Sequence, residues 1–433
     1  MLAKHPKGLK VLFLTEMWER FGFYTMLSVL VLYMTHVFGW DEHKMGQIYG
    51  LFLGFVYFTP LIGGWIADHI LGYRRTIMLG AVTLAVGYSM LAVPNTTALF
   101  FYFGLVVIVI GNGLFKANIS VLVGNLYPED SPLKDESYNI FYMGINVGAL
   151  MAPFAASFMR NTFSFNAAFA IAGAGMVISL ITFELGKKYY LLEGAKPSEK
   201  PVQEIRLSKK QEKERVVALL TIFAIVIFFW MSFHQSGFAL TLFADRSTKQ
   251  IISPELYQVF NPMFILILTP VIVWFFALLR KRKKEPSTPG KIGIGMFLAG
   301  LAFSIMIVAS LKGGNLDNGA LSPSWLISTY FVMTIAELFL SPMGLSFVSK
   351  IAPERMRGTM MGGWFTATAI GNYLSGFIGS FYGTWRHSTF FAVLVLASLF
   401  SAFLVLLLLK RLKHATRSKI DKIEDELEAE ALV

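Results

Sequence analysis

Three full charges interrupt the first apolar stretch of the chain: Glu16, Glu19 and Arg20, set between the runs Val11 to Leu14 and Phe21 to Met34. At roughly 100° per residue they share one helix face, with Glu16 and Arg20 one turn apart. Charge deep in hydrocarbon is costly, so such groups face a bundle interior or a water-filled cavity and take partners. An ion pair at the helix end, snorkelling to the interface, is the bland alternative. Lys116 poses the same problem some eighteen residues into its own apolar segment. It needs a carboxylate or an anionic ligand, and Glu337 is its expected protein partner; a purely structural pair would satisfy both. His234 can titrate near physiological pH or act as a neutral hydrogen-bonding group. Asn146, Asn261 and Asn372 offer amides to a ligand or to neighbouring helices. Together these groups suit a ligand with an ammonium and a carboxylate end, and supply titratable sites for coupling to protons.

The elements that position them are membrane helices. Of 433 residues, 55% are hydrophobic and 15% charged, and the mean hydropathy is +0.59. Apolar runs of spanning length fall near 10–36, 45–67, 75–93, 98–125, 138–159 and 165–186, then near 215–243, 255–279, 291–311, 324–349, 357–382 and 388–409. The expectation is an all-α membrane protein of twelve transmembrane helices in two six-helix bundles. The bundles span 1–192 and 214–412, joined by a cytoplasmic linker, 193–213, and followed by a cytoplasmic tail, 413–433. With the N-terminus inside, the inside segments hold 30 of the 38 Lys and Arg and the outside loops six. Both termini are therefore expected in the cytoplasm, and the net charge of +11 reflects positive-inside bias and attraction to anionic lipid rather than nucleic acid. Met1 to Lys10 is basic without a cleavable apolar segment, so the first helix is expected to act as its own insertion signal. There are no cysteines, which excludes disulfides and thiolate chemistry. No phosphate-binding loop, metal cluster or nucleophile–base set supports an ATP-driven pump or a hydrolase, so an enzyme is not expected and no cofactor is needed.

The two halves look like faint copies. Glu19-Arg20-Phe21-Gly22-Phe23 corresponds to His234-Gln235-Ser236-Gly237-Phe238, Tyr127-Pro128-Glu129 to Ala352-Pro353-Glu354, and Asn146 to Asn372, at offsets close to 220 residues. Such repeats place substrate sites at the bilayer midplane between halves that rock against each other. The loop Gly63-Gly64-Trp65-Ile66-Ala67-Asp68-His69-Ile70-Leu71-Gly72-Tyr73-Arg74-Arg75 has glycines for close helix approach, Gly72 for a tight turn, and Asp68 to pair with the arginines or accept from a helix N-terminus. It resembles the GxxxDxxGxRR signature of the major facilitator superfamily.

Within that superfamily the chain resembles the proton-coupled oligopeptide transporter (POT, or PTR2) family. The resemblance rests on ExxER at Glu16 to Arg20, on Gly113-Leu114-Phe115-Lys116-Ala117-Asn118, on the stretch Phe141 to Leu150, on Phe229-Trp230 with Gln235, and on Gly363 to Asn372. It implies a proton-coupled symporter that imports di- and tripeptides by alternating access. Glu16 and Glu19 then match carboxylates linked to proton binding, with His234 a further candidate, and Arg20 and Lys116 match cations that meet the peptide carboxylate. Glu337 matches the group that receives the peptide amino terminus and pairs with Lys116 when the site is empty. Asn146 and Asn261 match amides for peptide termini or backbone, Tyr24, Tyr57 and Trp364 match pocket aromatics, and Asp245 matches a position that can join an extracellular gate, while Asp68, Arg74 and Arg75 are the gating residues of the loop signature, which locks one conformation. Two departures stand out. The linker is too short for the two extra helices of many bacterial relatives, and Leu27 and His234 replace a basic–acidic gate pair. The same fold carrying another small anion such as nitrate, or a peptide sensor that does not transport, is the alternative. A monomer in the cell membrane is expected, the inner membrane if the source is Gram-negative.

Overall fold

A backbone crossing hydrocarbon must satisfy its own polar groups, which leaves helices as the available solution for long apolar runs. The computed structural model describes residues 4–94, 97–127, 131, 133–191, 209–353 and 356–416. Within them lie fourteen α-helices: α1 (Lys7–His36), α2 (Glu42–Ile66), α3 (Tyr73–Leu91), α4 (Ala98–Asn125), α5 (Leu133–Thr162), α6 (Phe165–Leu185), the short α7 (Lys187–Leu191), α8 (Lys209–Phe233), α9 (Ala239–Arg246), α10 (Phe260–Lys281), α11 (Thr288–Lys312), α12 (Ser324–Ile351), α13 (Arg357–Gly379) and α14 (His387–Thr416). Eight stretches are long and apolar enough to cross a membrane, with α8 and α9 counted together. Several starts are set locally by side chains that accept from an otherwise free backbone N–H: Asp41 for α2, Thr97 for α4, Ser164 for α6 and Ser287 for α11. Between α10 and α11, Arg280 and Lys291 both donate to Glu285 and hold its carboxyl down to about 2.

One expectation changes here. The seventh apolar run is not one helix. His234 to Gly237 form a 3-10 turn, and Phe238 takes φ −120° and ψ −87°, so α9 restarts on a new path. His234 and Asp245 therefore do not share the face that a straight helix of 3.6 residues per turn would give them. Most of 193–213 and the tail beyond Thr416 lie outside the described residues, but α8 already begins at Lys209, inside the segment assigned to the linker.

The packing repeats between the halves. In the first, α1 packs on α5 and α6, α3 on α4 and α6, and α2 on α4; in the second, α8 packs on α13 and α14, α11 on α12 and α14, and α10 on α12. The halves meet where α2 lies on α13 and α5 on α10. Along α2–α13 the backbones touch: a Cβ at Gly50 would come within 2.6 Å of the Tyr373 carbonyl oxygen, and one at Gly46 within 2.7 Å of the Ser380 nitrogen. Among the described residues three ion pairs join the halves, all at the end distal to the termini. His36 Nε2 lies 3.0 Å from Asp245 Oδ2, Arg160 Nη1 lies 3.0 Å from Glu255 Oε2, and Arg246 donates to Glu42. Asn161 adds a 3.0 Å bond to Ser253. Among the described residues, α4 makes no extended contact with α12.

Glu255 is fully buried in this closed distal end. Replacing it with leucine leaves the mostly buried Arg160 guanidinium unpaired, a loss of about 3–5 kcal/mol borne by the distal-closed arrangement. Spin labels on cysteines placed at Val37 and Lys249 should then report a larger population of long separations across that end. An unchanged distance distribution would rule out the pair as a clamp.

Candidate functional site

The charged cluster of α1 is assembled from three helices. Glu19 and Arg20 are joined by two parallel bonds: Arg20 Nε donates to Glu19 Oε2, and Nη2 donates to Oε1 at 2.7 Å. Glu16, one turn earlier, places Oε1 3.3 Å from Arg20 Nε and leaves Oε2 without a hydrogen-bond partner. All three side chains are at most 2% exposed. The third ligand comes from α4, where Asn112 Oδ1 accepts from Arg20 Nη2 at 3.1 Å. Asn112 Nδ2 donates in turn to the Val56 carbonyl of α2 at 2.8 Å. Gly148 of α5 is what admits so close a neighbour, since a Cβ there would reach Arg20 Cβ at 3.2 Å. Phe23 completes the cage, its ring centroid 5.1 Å from the guanidinium carbon.

One turn beyond Asn112, Lys116 sets its ammonium 4.0 Å from the centre of the Tyr57 ring. Across the gap between the halves, Glu337 of α12 accepts from Asn261 Nδ2 of α10 at 2.8 Å, and the same amide reaches Thr334 Oγ1 at 3.2 Å. The expected Lys116–Glu337 ion pair is not formed: no contact within 4.0 Å joins them. Among the described residues α4 and α12 make no extended contact, and each charge has a partner in its own half, Tyr57 for Lys116 and Asn261 for Glu337. A cation–π contact on one side and an amide bond on the other are weaker than a carboxylate–ammonium bond.

The remaining predicted residues divide clearly. His234 stacks edge-on to Tyr57, with ring centroids 6.0 Å apart, and its carbonyl accepts from Tyr49 at 3.3 Å, so the 3-10 break faces α2. Tyr24 is half-buried against Phe23, and Trp364 is buried against Phe223. Asn146 donates to the Tyr142 carbonyl of its own helix at 3.0 Å. Asn372 is buried with neither amide atom paired. Asp245 meets His36 at the distal end.

The loop after α2 departs from expectation. Asp68 accepts from Tyr73 rather than pairing with either arginine, because residues 67–71 form a π-helical turn that ends at Gly72, φ +74°. Arg74 bonds Glu184 of α6 at 2.5 Å, and Arg75 is exposed. Gly63 does admit a neighbour, since a Cβ there would overlap the Gly113 carbonyl, whereas Gly64 meets nothing within 4 Å. Sequence reasoning missed Asn112 and the distal residues His36, Glu42, Arg160 and Glu255. A usable signal existed only for Asn112, a polar residue one turn before Lys116 and flanked by Gly111 and Gly113.

Known proteins similar to this chain fall in one family. The POT family profile (PTR2) matches residues 74–205 and 199–390. The chain is 31% identical to the peptide transporter YePEPT of Yersinia enterocolitica over 87% of this chain and 88% of that one. It is 30% identical to the dipeptide and tripeptide permease A of Salmonella typhimurium, covering 87% and 84%. An uncharacterized transporter, YclF of Bacillus subtilis, is 29% identical over 95% of both chains. A crystal structure of a peptide transporter POT in complex with sulfate superposes with a TM-score of 0.87 at 29% identity, covering 96% of each chain. One of a POT family transporter in complex with 5-aminolevulinic acid gives 0.86 at 26%, covering 94% and 97%. The chain therefore belongs to the POT family and is a multi-pass membrane transporter with the major facilitator fold, not an enzyme.

Proposed function

We propose that the protein is a proton-driven symporter importing di- and tripeptides across the cell membrane by alternating access. The observation that carries this reading is the split arrangement of charge. Arg20 and Lys116 stand on one wall and Glu337 on the other, with Lys116 and Glu337 each lacking an ionic partner. A short peptide bridges the walls, its carboxylate at Arg20 and Lys116 and its ammonium at Glu337. The names of the relatives, a peptide transporter and a dipeptide and tripeptide permease, support the same substrate class. Nitrate would make no use of Glu337.

Twelve spans with both termini in the cytoplasm make the clamped distal end the outer one, so this arrangement faces inward. The ligand set of Arg20 suggests how protons enter the cycle. Glu16 makes the longer contact to Arg20 and keeps one oxygen unpaired, so protonating it forfeits less than protonating Glu19. Protonation of Glu16 weakens the hold on Arg20 and lets the peptide carboxylate compete. Proton and peptide then bias one rocking equilibrium, which is the physical content of coupling. No cofactor enters; the proton gradient drives the cycle. His36–Asp245, Glu42–Arg246 and Arg160–Glu255 gate the outer side in place of the pair missing at Leu27 and His234.

Purified protein in liposomes should accumulate labelled dialanine under an inside-alkaline pH gradient, with competition by dipeptides and none by nitrate. Glu16→Gln should lose gradient-driven accumulation and retain counterflow exchange; accumulation at the wild-type level would sink the assigned role. Glu337→Gln should raise the counterflow KM for dialanine about tenfold or more, the equivalent of one charge-assisted hydrogen bond.

A further inference from the structure

The Asn112 amide has each of its polar atoms committed to a different helix. Its oxygen takes a hydrogen from Arg20 on α1, its nitrogen gives one to the Val56 carbonyl on α2, and its backbone sits in α4 one turn from Lys116. It is fully buried, so both bonds are shielded from water. The bond to Val56 fixes which way the amide points, because a flipped amide would set its carbonyl oxygen against that of Val56. Val56 precedes Tyr57, whose ring lies under the Lys116 ammonium. One side chain therefore ties the helices carrying Arg20, Lys116 and Tyr57 together at the level of the charges.

We infer that Asn112 is a positioning residue for transport: it is the neutral ligand that keeps Arg20 in place beside Lys116 when the carboxylates of α1 let go. The inference rests on the symport reading above and adds to it the group that makes release of Arg20 affordable. Glu16 and Glu19 change their hold on Arg20 with protonation, whereas an amide does not titrate. Without the amide, a guanidinium leaving Glu16 is stripped of a ligand inside a water-poor bundle. Asn112 keeps one N–H occupied and leaves the others for the peptide carboxylate, in register with the ammonium of Lys116. The titratable and charged groups around this cluster are Tyr24 on α1, Tyr57 on α2, Tyr88 on α3, Lys116 on α4 and Tyr142 on α5, with Glu337 facing from α12. α6 contributes Ser179, which donates to the Thr15 carbonyl. Asn112 itself supplies Arg20 with its only neutral hydrogen-bond partner among the described residues.

The test compares Asn112→Thr, Asn112→Val and Asn112→Asp in proteoliposomes. Threonine and valine have nearly the same shape, and only threonine keeps an acceptor for Arg20. Valine should raise the counterflow KM for dialanine about tenfold and move the midpoint of the uptake–pH profile to more acidic pH. Threonine should stay within about threefold of wild type in KM. Aspartate sets a further negative charge beside Glu16 and Glu19, which disfavours their charged forms, so its midpoint should shift to higher pH instead. Equal KM values and equal midpoints for threonine and valine would overturn the inference, as would an aspartate variant with the wild-type profile. The counterflow arm needs no gradient. A wild-type protein that exchanges dialanine but shows no pH-driven uptake would count against proton coupling, while the threonine–valine difference in KM still decides the role of Asn112.

Discussion

A guanidinium buried in a bundle that water scarcely enters must be surrounded by ligands at every stage of its life. Arg20 meets that demand with two carboxylates from its own helix, an amide from α4 and the face of Phe23. Much of the first half can be understood as the scaffold for this arrangement. Gly148 lets α5 close over it, and Asn112 borrows a carbonyl from α2 to hold itself in place. The constraint also limits what can happen next. A carboxylate that loosens its hold on Arg20 leaves a vacancy that another anion fills while the Asn112 amide stays, and in the proposed function that exchange links a proton on a glutamate to a carboxylate on a substrate.

The second half is built differently although its helices pack in the same pattern. Where α1 has its charged cluster, the seventh span has His234, Gln235 and a broken helix. Its one charged contribution to the central gap is Glu337, steadied by Asn261 and Thr334. The halves thus divide the labour: cations and their counter-ions on one wall, a single carboxylate among amides and aromatics on the other. In the proposed function a dipolar ligand meets complementary ends, and the unequal walls set its orientation.

The helices were readable because a long apolar run has few alternatives in a membrane, and α1, α4 and α12 carry the charges singled out in the sequence. The contact between Glu16, Glu19 and Arg20 follows from helix spacing alone. The partners of isolated charges do not. Lys116 and Glu337 are far apart in sequence, and whether they touch depends on how the halves are rotated, which no local pattern encodes. The break at His234 was hidden for a related reason: a run rich in Phe, Ile and Val looks equally apolar whether its helix is continuous or not. Asp68 was misassigned because a π turn changes the phase that a regular helix would give. The clamps at His36, Arg160 and Glu255 pair ends of helices 95 to 209 residues apart, and charged residues at helix ends usually face solvent.

The seam between α2 and α13 carries a different consequence. Where Gly46 and Gly50 meet Gly376, main chain lies against main chain and no long side chain is trapped between them. Forming such a contact freezes few rotamers, and parting it leaves no large apolar surface to be covered again. The seam can therefore be made and broken with little change in free energy, leaving the balance between the two states to the ionic clamps beside it. Turnover speed would then depend on the smallest residues in the chain, and bulk added there would slow the cycle before it altered what is carried.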